Sequence, residues 1–251
     1  MYLDIFILLS PFIYNILLYC TYLITRFYLK NSDMVINPLI HNYIMVLQSC
    51  ILLGLVIYDY FHVATIYNIS YLDFIQISNK GSSYRQQNNL NWILNLVLLS
   101  KLWEWFDTIL LIINKKKVIN LHWWHHSTIT WAFFTGFYTS SFYTIGFLNN
   151  IIHIIMYLYY AEVKMIKPYA KYLTFFQIIQ LFSGVLMNIL SYYYNTEYKY
   201  KLFSIINGIL CLSYGCMFLQ FFNTKYLKSI KNNKDIKHDI KHDIKNDKDK
   251  E

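Results

Sequence analysis

WILNLVLLSKLWEWFDTILLIINKKKVINLHWWHHSTITWAFFTG, residues 92–136, joins two long apolar runs through a short basic loop. A run of about 20 mostly apolar residues crosses a bilayer as a helix. The stretch therefore reads as two spans, 92–113 and 118–136, hinged at Lys115, Lys116 and Lys117. Moving outward, the same pattern recurs at 5–25, 40–60, 142–162, 170–192 and 202–223, which gives seven spans. The expected fold class is an all-α polytopic membrane protein. Composition agrees: 56% of the 251 residues are hydrophobic and 14% are charged, where a soluble domain carries about 25%. So few charges leave no water-facing surface for a secreted domain, a cytosolic enzyme or a DNA-binding fold. The net charge of +8 then sets membrane orientation rather than nucleic-acid affinity.

Residues 1–224 form one transmembrane domain, and 225–251 form a charged tail without an apolar face, expected to be disordered. The first span has no small-residue cleavage site, so it is a retained helix with Pro11 near its start. Residues 61–91 are the longest polar connection and contain the turn-rich Ser78-Asn79-Lys80-Gly81-Ser82-Ser83. With the N-terminus in the lumen, the cytosolic segments hold Arg26, Lys30, Lys115, Lys116, Lys117, Lys164, Lys167 and Lys171, besides the tail lysines. The lumenal loops hold Lys80, Arg85, Lys199 and Lys201. That imbalance follows the positive-inside rule. The sequon Asn68-Ile69-Ser70 falls on the lumenal side. Cys20, Cys50, Cys211 and Cys216 lie within apolar segments without a CxxC pair, as buried thiols do.

Ionisable groups inside a span are costly and usually face a bundle interior or a cavity. Four consecutive spans carry them at helical spacing. Lys101, Glu104 and Thr108 share an arc of roughly 60°, with Asp107 at its edge. Lys101 and Glu104 could simply neutralise each other at i,i+3, which leaves Asp107 needing another partner. His122, His125 and His126 lie within roughly 100° on the next span. His153, Tyr157 and Tyr160 align on the fifth, while Tyr159 points away and suits an interfacial belt. Thr174, Gln177 and Gln180 stripe the sixth, where interhelical hydrogen bonding is the plainer role.

The strings Lys101-Leu-Trp-Glu104-Trp-Phe-Asp107-Thr108, His122-Trp-Trp-His125-His126, His153-Ile-Ile-Met156-Tyr157-Leu-Tyr159-Tyr160 and Thr174-Phe-Phe-Gln177-Ile-Ile-Gln180 together resemble the ELO family of very-long-chain fatty acid elongases. The family patterns KxxExxDT, HxxHH, HxxMYxYY and TxxQxxQ occur complete and in order, and Asn149 matches the Asn that precedes the third. The resemblance implies a 3-oxoacyl-CoA synthase (an acyltransferase) of the endoplasmic reticulum membrane. Such an enzyme condenses long-chain acyl-CoA with malonyl-CoA, the first step of the elongation cycle, and binds no cofactor or metal. It also implies six helices forming an inverted barrel around a substrate tunnel. Membrane lipid, a 3-ketoacyl-CoA reductase, a dehydratase and an enoyl-CoA reductase are the implied partners, and a homodimer is compatible with it. His122, rather than Gln, at the first position of its box resembles elongases of saturated or monounsaturated chains.

The chemistry needs an activated acyl group and a site for an enolate. No cysteine lies in the polar cluster, so a neutral imidazole is the expected nucleophile, holding the chain as an acyl-imidazole. His125 takes that role. His122 and His126 orient it or move protons, His153 faces enolate charge, and Asp107 and Glu104 fix tautomers. Lys101, Thr108, Asn149, Tyr157, Tyr160, Gln177 and Gln180 are expected to contact substrate. CoA phosphates are assigned to Lys115, Lys116 and Lys117, with Lys101 the nearer candidate. Residues of the sixth and seventh spans are expected to set tunnel depth. The rival readings are a di-iron desaturase or hydroxylase and a proton-coupled transporter. The first needs about eight clustered histidines on its family's pattern, whereas His41 and His62 stand apart here and His238 and His242 fall in the tail. The second shows paired Gly- or Pro-broken helices, which 7 Gly and 3 Pro do not supply.

Overall fold

The computed structural model describes residues 2–28, 35–71, 73, 77, 80–81, 83–84, 87–88, 91–139 and 141–228. Its long elements are α1 (Tyr2–Tyr28), α2 (Leu39–Ile66), α3 (Asn91–Trp103), α4 (Trp105–Ile113), α5 (Asn120–Phe137), α6 (Phe142–Tyr160), α7 (Ala170–Tyr194) and α8 (Tyr198–Phe222). A 3₁₀ turn at Lys167–Tyr169 leads into α7, and a π-helical turn at Asn223–Lys228 extends α8. Among the described residues, five stretches are long and apolar enough to cross a membrane: Ile7–Phe27, Leu39–Ile66, Phe142–Tyr160, Lys167–Tyr194 and Tyr198–Leu227. The protein is a multi-pass, all-α membrane protein.

The two other expected spans differ for a physical reason. The run 92–113 is not one helix but α3 and α4, broken at Glu104. There the Asp107 amide reaches back three residues, to Glu104 O at 3.1 Å, a tightened turn. The run 118–136 becomes α5, whose three histidines and several hydroxyls lower its hydropathy. Both exceptions carry intramembrane ionisable residues, Lys101, Glu104 and Asp107 in the first and three histidines in the second.

α2 packs on α6, α6 on α7, α7 on α8, α8 on α5, and α5 on α3 and α4. Side-chain bonds from α4 to α2 and α6 close this ring. α1 stands outside it, against α4 and α5. Ile7, Tyr14 and Leu18 of α1 are buried, while Leu8, Phe12 and Ile16 are exposed at four-residue spacing. The exposed residues make the lipid-facing stripe that a helix of 3.6 residues per turn presents on its outer side. Pro11 lies well inside α1, not near its start, because the helix begins earlier than the apolar run.

The ends of the ring differ. At the end that holds the start of α3 and the end of α2, Val63, Ala64, Ile93, Phe137, Phe142 and Tyr143 fill the interior. Backbones also approach closely here. A Cβ on Gly136 would lie 2.8 Å from Asn207 Nδ2, which donates to Ser141 Oγ at 3.1 Å. The 61–91 connection is partly helical rather than turn-rich: 77, 80, 81, 83, 84 and 87 are helical positions. Ile77 and Tyr84, two turns apart, share the face that packs on this core. Ser78, Asn79 and Ser82 of the quoted turn lie outside the described residues. So do 229–251, and helix persists to Lys228 where a tail was expected from 225. Of the cysteines expected to be buried, only Cys211 is; Cys20, Cys50 and Cys216 are exposed on the outer faces of their helices.

Three helices end alike. Asn68, Lys115 and Glu162 take φ of 51°, 54° and 62°, and the next amide reaches back five residues, to Ala64, Leu111 and Leu158. Glycine usually fills this left-handed cap position. The Glu162 side chain is 79% exposed and, among the described residues, its one ion pair is with Lys167 across 3.4 Å. Glu162→Gly should therefore stabilise the fold by about 0.5–1 kcal/mol, after the added unfolded-state freedom of glycine is subtracted. Thermal unfolding in detergent should show a rise of about 1–4 °C, and Glu162→Ala should show none.

Candidate active site

At the opposite end of the ring, α4, α5, α6, α7 and α8 enclose a cavity of about 190 Å³. Glu104, Asp107, His122, His125, His126, Asn149, His153 and Tyr157 line it on one side. Thr174, Gln177, Gln180, Phe218 and Phe221 line the other. Residues of all four polar strings thus converge on one space. Tyr160, Lys225 and Tyr226 stand at its mouth.

Beneath the cavity lies an ion pair. Lys101 Nζ donates to Glu104 Oε1 at 2.5 Å and to Asn149 Oδ1 at 3.1 Å, and sits 4.2 Å from the centroid of the Phe133 ring. Only 2% of Lys101 and 1% of Glu104 is exposed, so each charge depends on the other. An ammonium can only donate, which turns the Asn149 oxygen toward Lys101 and its amide nitrogen toward His153. Asn149 Nδ2 then donates to His153 Nε2 at 3.1 Å. That leaves the ring proton of neutral His153 on Nδ1, 3.3 Å from Glu104 Oε1. One buried network thereby selects a single His153 tautomer.

Asp107 has the further partners its helical position demanded. His41 Nε2 lies 2.7 Å from Asp107 Oδ1, and Tyr157 OH donates to Oδ2 at 2.7 Å. His41, expected to stand apart, belongs to the site's supporting shell. It comes from the first turns of α2, where no neighbouring motif residue marked it. A second unexpected support is Tyr14 of α1. Its hydroxyl lies 2.9 Å from Thr108 Oγ1, itself 2.9 Å from His122 Nε2. His122 then overlaps His126, ring centroids 4.2 Å apart at 30°.

His125 differs from His122 and His153. Its ring meets His126 at 5.2 Å and Tyr214 at 5.1 Å, edge to face. Among the described residues it makes no side-chain hydrogen bond, and its ring lines the cavity. Tyr214 is itself held by Thr128, hydroxyl to hydroxyl at 2.8 Å. Glu104 Oε2 and His126 Nδ1 are buried without a partner among the described residues. Unsatisfied polar atoms of this kind gather at functional sites.

Several expectations change here. Lys101 and Thr108 do not line the cavity; burial makes the first a counterion and the second a link to His122. Lys115 and Lys116 line a separate groove against α1, and Lys117 is exposed beyond the α4 cap. Lys225, taken for tail, is the lysine at the mouth. Tyr159, expected to point away, also reaches the cavity, because the end of α6 stands in the opening. Tyr160 lines the mouth while 49% exposed. Gln177 Nε2 contacts Met156 Sδ at 3.6 Å, and Gln180 is buried against the cavity. Among the described residues, no group of three or more His, Cys, Asp and Glu side chains is placed to hold a metal ion.

A family model described as GNS1/SUR4 matches residues 5–234. The chain belongs to the ELO family. It is 32% identical over 162 residues to "Fatty acid elongase 3" of Trypanosoma brucei brucei, covering 59% of this chain and 53% of that protein. It is 34% identical over 145 residues to "Very long chain fatty acid elongase 3" of Homo sapiens, covering 52% of each. Against "Very long chain fatty acid elongase 6" of Mus musculus it is 30% identical over 146 residues, 53% of this chain and 54% of that one. The aligned part spans about half the length of these ELO relatives. It is long enough to take in the whole polar network from Lys101 to Gln180.

Removing one member of the buried pair tests the network. Lys101→Met leaves Glu104 uncompensated and should cost roughly 3–5 kcal/mol, as for other broken buried pairs. The double change Lys101→Met with Glu104→Gln should recover much of that loss. Denaturation of the purified variants in mixed micelles measures both.

Proposed function

We propose that the protein is a fatty acid elongase: a very-long-chain 3-oxoacyl-CoA synthase joining long-chain acyl-CoA to malonyl-CoA. The observation that carries this reading is His125, an imidazole without hydrogen-bond partners among the described residues, lining a cavity between family-motif helices. The names of the relatives, all elongases, support it.

In the first half-reaction a bare His125 nitrogen attacks the acyl thioester. The C–S bond breaks, a C–N bond forms, and the proton of the other ring nitrogen leaves with the CoA thiolate by way of a neighbouring imidazole. His126, in ring contact with His125, and His122 beyond it are the carriers. In the second half-reaction malonyl-CoA loses CO2, and its enolate carbon attacks the acyl-imidazole. The C–N bond breaks, giving 3-oxoacyl-CoA two carbons longer. The departing imidazolate takes a proton from solvent by way of the same neighbouring imidazoles, which returns His125 to its starting state. An unhydrogen-bonded nitrogen suits a nucleophile, whereas both His153 nitrogens face Asn149 and Glu104. His153 therefore serves better as an oriented wall beside the developing enolate. Asp107 keeps Tyr157 oriented.

The cavity opens where α7 begins and α8 ends, at the same end as Arg26, Lys115 and Lys116. The loop-charge imbalance makes that end cytosolic, with the N-terminus in the lumen. CoA then approaches from the cytosol with Lys225 at the mouth, and the acyl tail lies between α7 and α8. A location in the endoplasmic reticulum, beside the reductases and dehydratase that complete the cycle, follows from this reading. His122 at the head of its box favours saturated or monounsaturated chains.

Microsomes containing the protein, given labelled malonyl-CoA and acyl-CoAs of graded length, should yield a two-carbon-extended product at a preferred length. Failure to do so with every acyl-CoA would sink the reading. His125→Ala should lower turnover at least 100-fold and abolish the acyl adduct that intact-mass spectrometry detects with acyl-CoA alone. A retained adduct would reassign the nucleophile.

A further inference from the structure

A second concavity lies outside the ring, where α1 leans on α4 and α5. Its volume is about 770 Å³, and none of its lining residues is shared with the histidine cavity. One end is basic: Arg26 from the last turn of α1, with Lys115 and Lys116 from the loop after α4. Among the described residues, no Asp or Glu lines it. Apart from Asn15, Thr25 and Asn120, the rest is apolar and aromatic, with Leu18, Tyr22 and Trp123 prominent. From Arg26 to Asn15 the groove follows eleven residues of α1, about 16 Å along the helix. Basic at the bilayer surface and apolar toward its middle, it has the polarity of one phospholipid molecule.

The basic end is held in place. Asn114 exchanges two 2.9 Å hydrogen bonds with the Ile36 backbone. Lys115 takes the left-handed cap, and the Lys116 amide returns to Leu111 O at 2.8 Å. Deeper in the groove, Trp123 Nε1 donates to Asn15 Oδ1 at 2.8 Å and ties α5 to α1.

We propose that this groove binds one anionic phospholipid of the surrounding bilayer, its phosphate among Arg26, Lys115 and Lys116 and an acyl chain along α1. Charge complementarity selects the occupant. A zwitterionic headgroup brings its own cation to a rim that already carries Arg26 and Lys116, whereas an anionic headgroup brings none. Basic pockets between transmembrane helices commonly recognise anionic headgroups. A CoA thioester fits less well, since the groove does not reach the histidines. Bound lipid would join α1 to the ring, and α1 supplies the Tyr14 hydroxyl behind Thr108 and His122.

Native mass spectrometry tests this on the full chain, delipidated in detergent and offered equal amounts of phosphatidylglycerol and phosphatidylcholine. One phosphatidylglycerol should be retained in preference. Arg26→Gln with Lys116→Gln should weaken its retention about 30-fold, from the loss of two near-surface charges. Lys225→Gln, at the other cavity, should leave it unchanged. Raised salt should release the lipid from the unaltered protein, so the result does not hang on the folding of a variant. Equal retention of the two lipids would overturn the proposal. So would displacement of phosphatidylglycerol by CoA or by adenosine 3′,5′-bisphosphate, which would make the groove a nucleotide-phosphate site. Lipid retention is read without turnover, so it stands or falls apart from the elongase assignment.

Discussion

The bond between Lys101 and Glu104 is the constraint on which the rest of the interior depends. Two charges at the middle of a span are tolerable only together, and here they are the two ends of a chain of consequences. Lys101 can only donate, so Asn149 must offer it oxygen; that leaves its amide nitrogen for His153 and fixes the imidazole tautomer. The pair also sits where the third span breaks into two helices. A single local ion pair thus orients a residue on another helix through an amide that belongs to neither charge.

Around it the protein divides labour between neighbouring polar residues. Thr108 and Asp107 each bond to an imidazole or aromatic side chain from another helix, and Asn149 bonds to the His153 imidazole one turn along its own. Of the four motif histidines, His125 and His126 have ring contacts without a side-chain hydrogen bond among the described residues. Positioning requires engaged atoms, and nucleophilic chemistry requires a nitrogen that is not engaged. Hydrogen-bond occupancy therefore separates His125 and His126 from His122 and His153 on the shared cavity wall, and burial separates the first two, since His126 is buried and His125 half-buried.

Much of this was legible in the chain. Apolar length located the five long spans of the described residues, because backbone in lipid must bond to itself as helix. The 3.6-residue repeat put Lys101 and Glu104 on one face, and the leftover Asp107 rightly called for another partner. What periodicity could not supply was the partner's name. His41 and Tyr14 come from helices with no polar stripe, and their role depends on how α2 and α1 meet α4. Nor could spacing say which side of a buried cluster faces the cavity. Lys101 and Thr108 share the motif face yet lie behind it, and Lys115 and Lys116 turn to a different groove. The helix in the 61–91 connection was hidden by polar, glycine-bearing sequence, and emerges because Ile77 and Tyr84 have a core to meet.

The order of the chain bears on how such a site enters a membrane at all. Helices are delivered from the ribosome N-terminus first. Lys101 and Glu104 are three residues apart, so they can enter the bilayer already neutralised by one another. Asp107 has no such neighbour on its own helix, but His41, its partner from α2, has been synthesised some sixty residues earlier. Tyr14 likewise precedes Thr108. Asn149 and His153 arrive last, to a carboxylate and an ammonium already paired. The polar interior can thus be assembled during synthesis without an intermediate in which a buried charge waits for a residue not yet made.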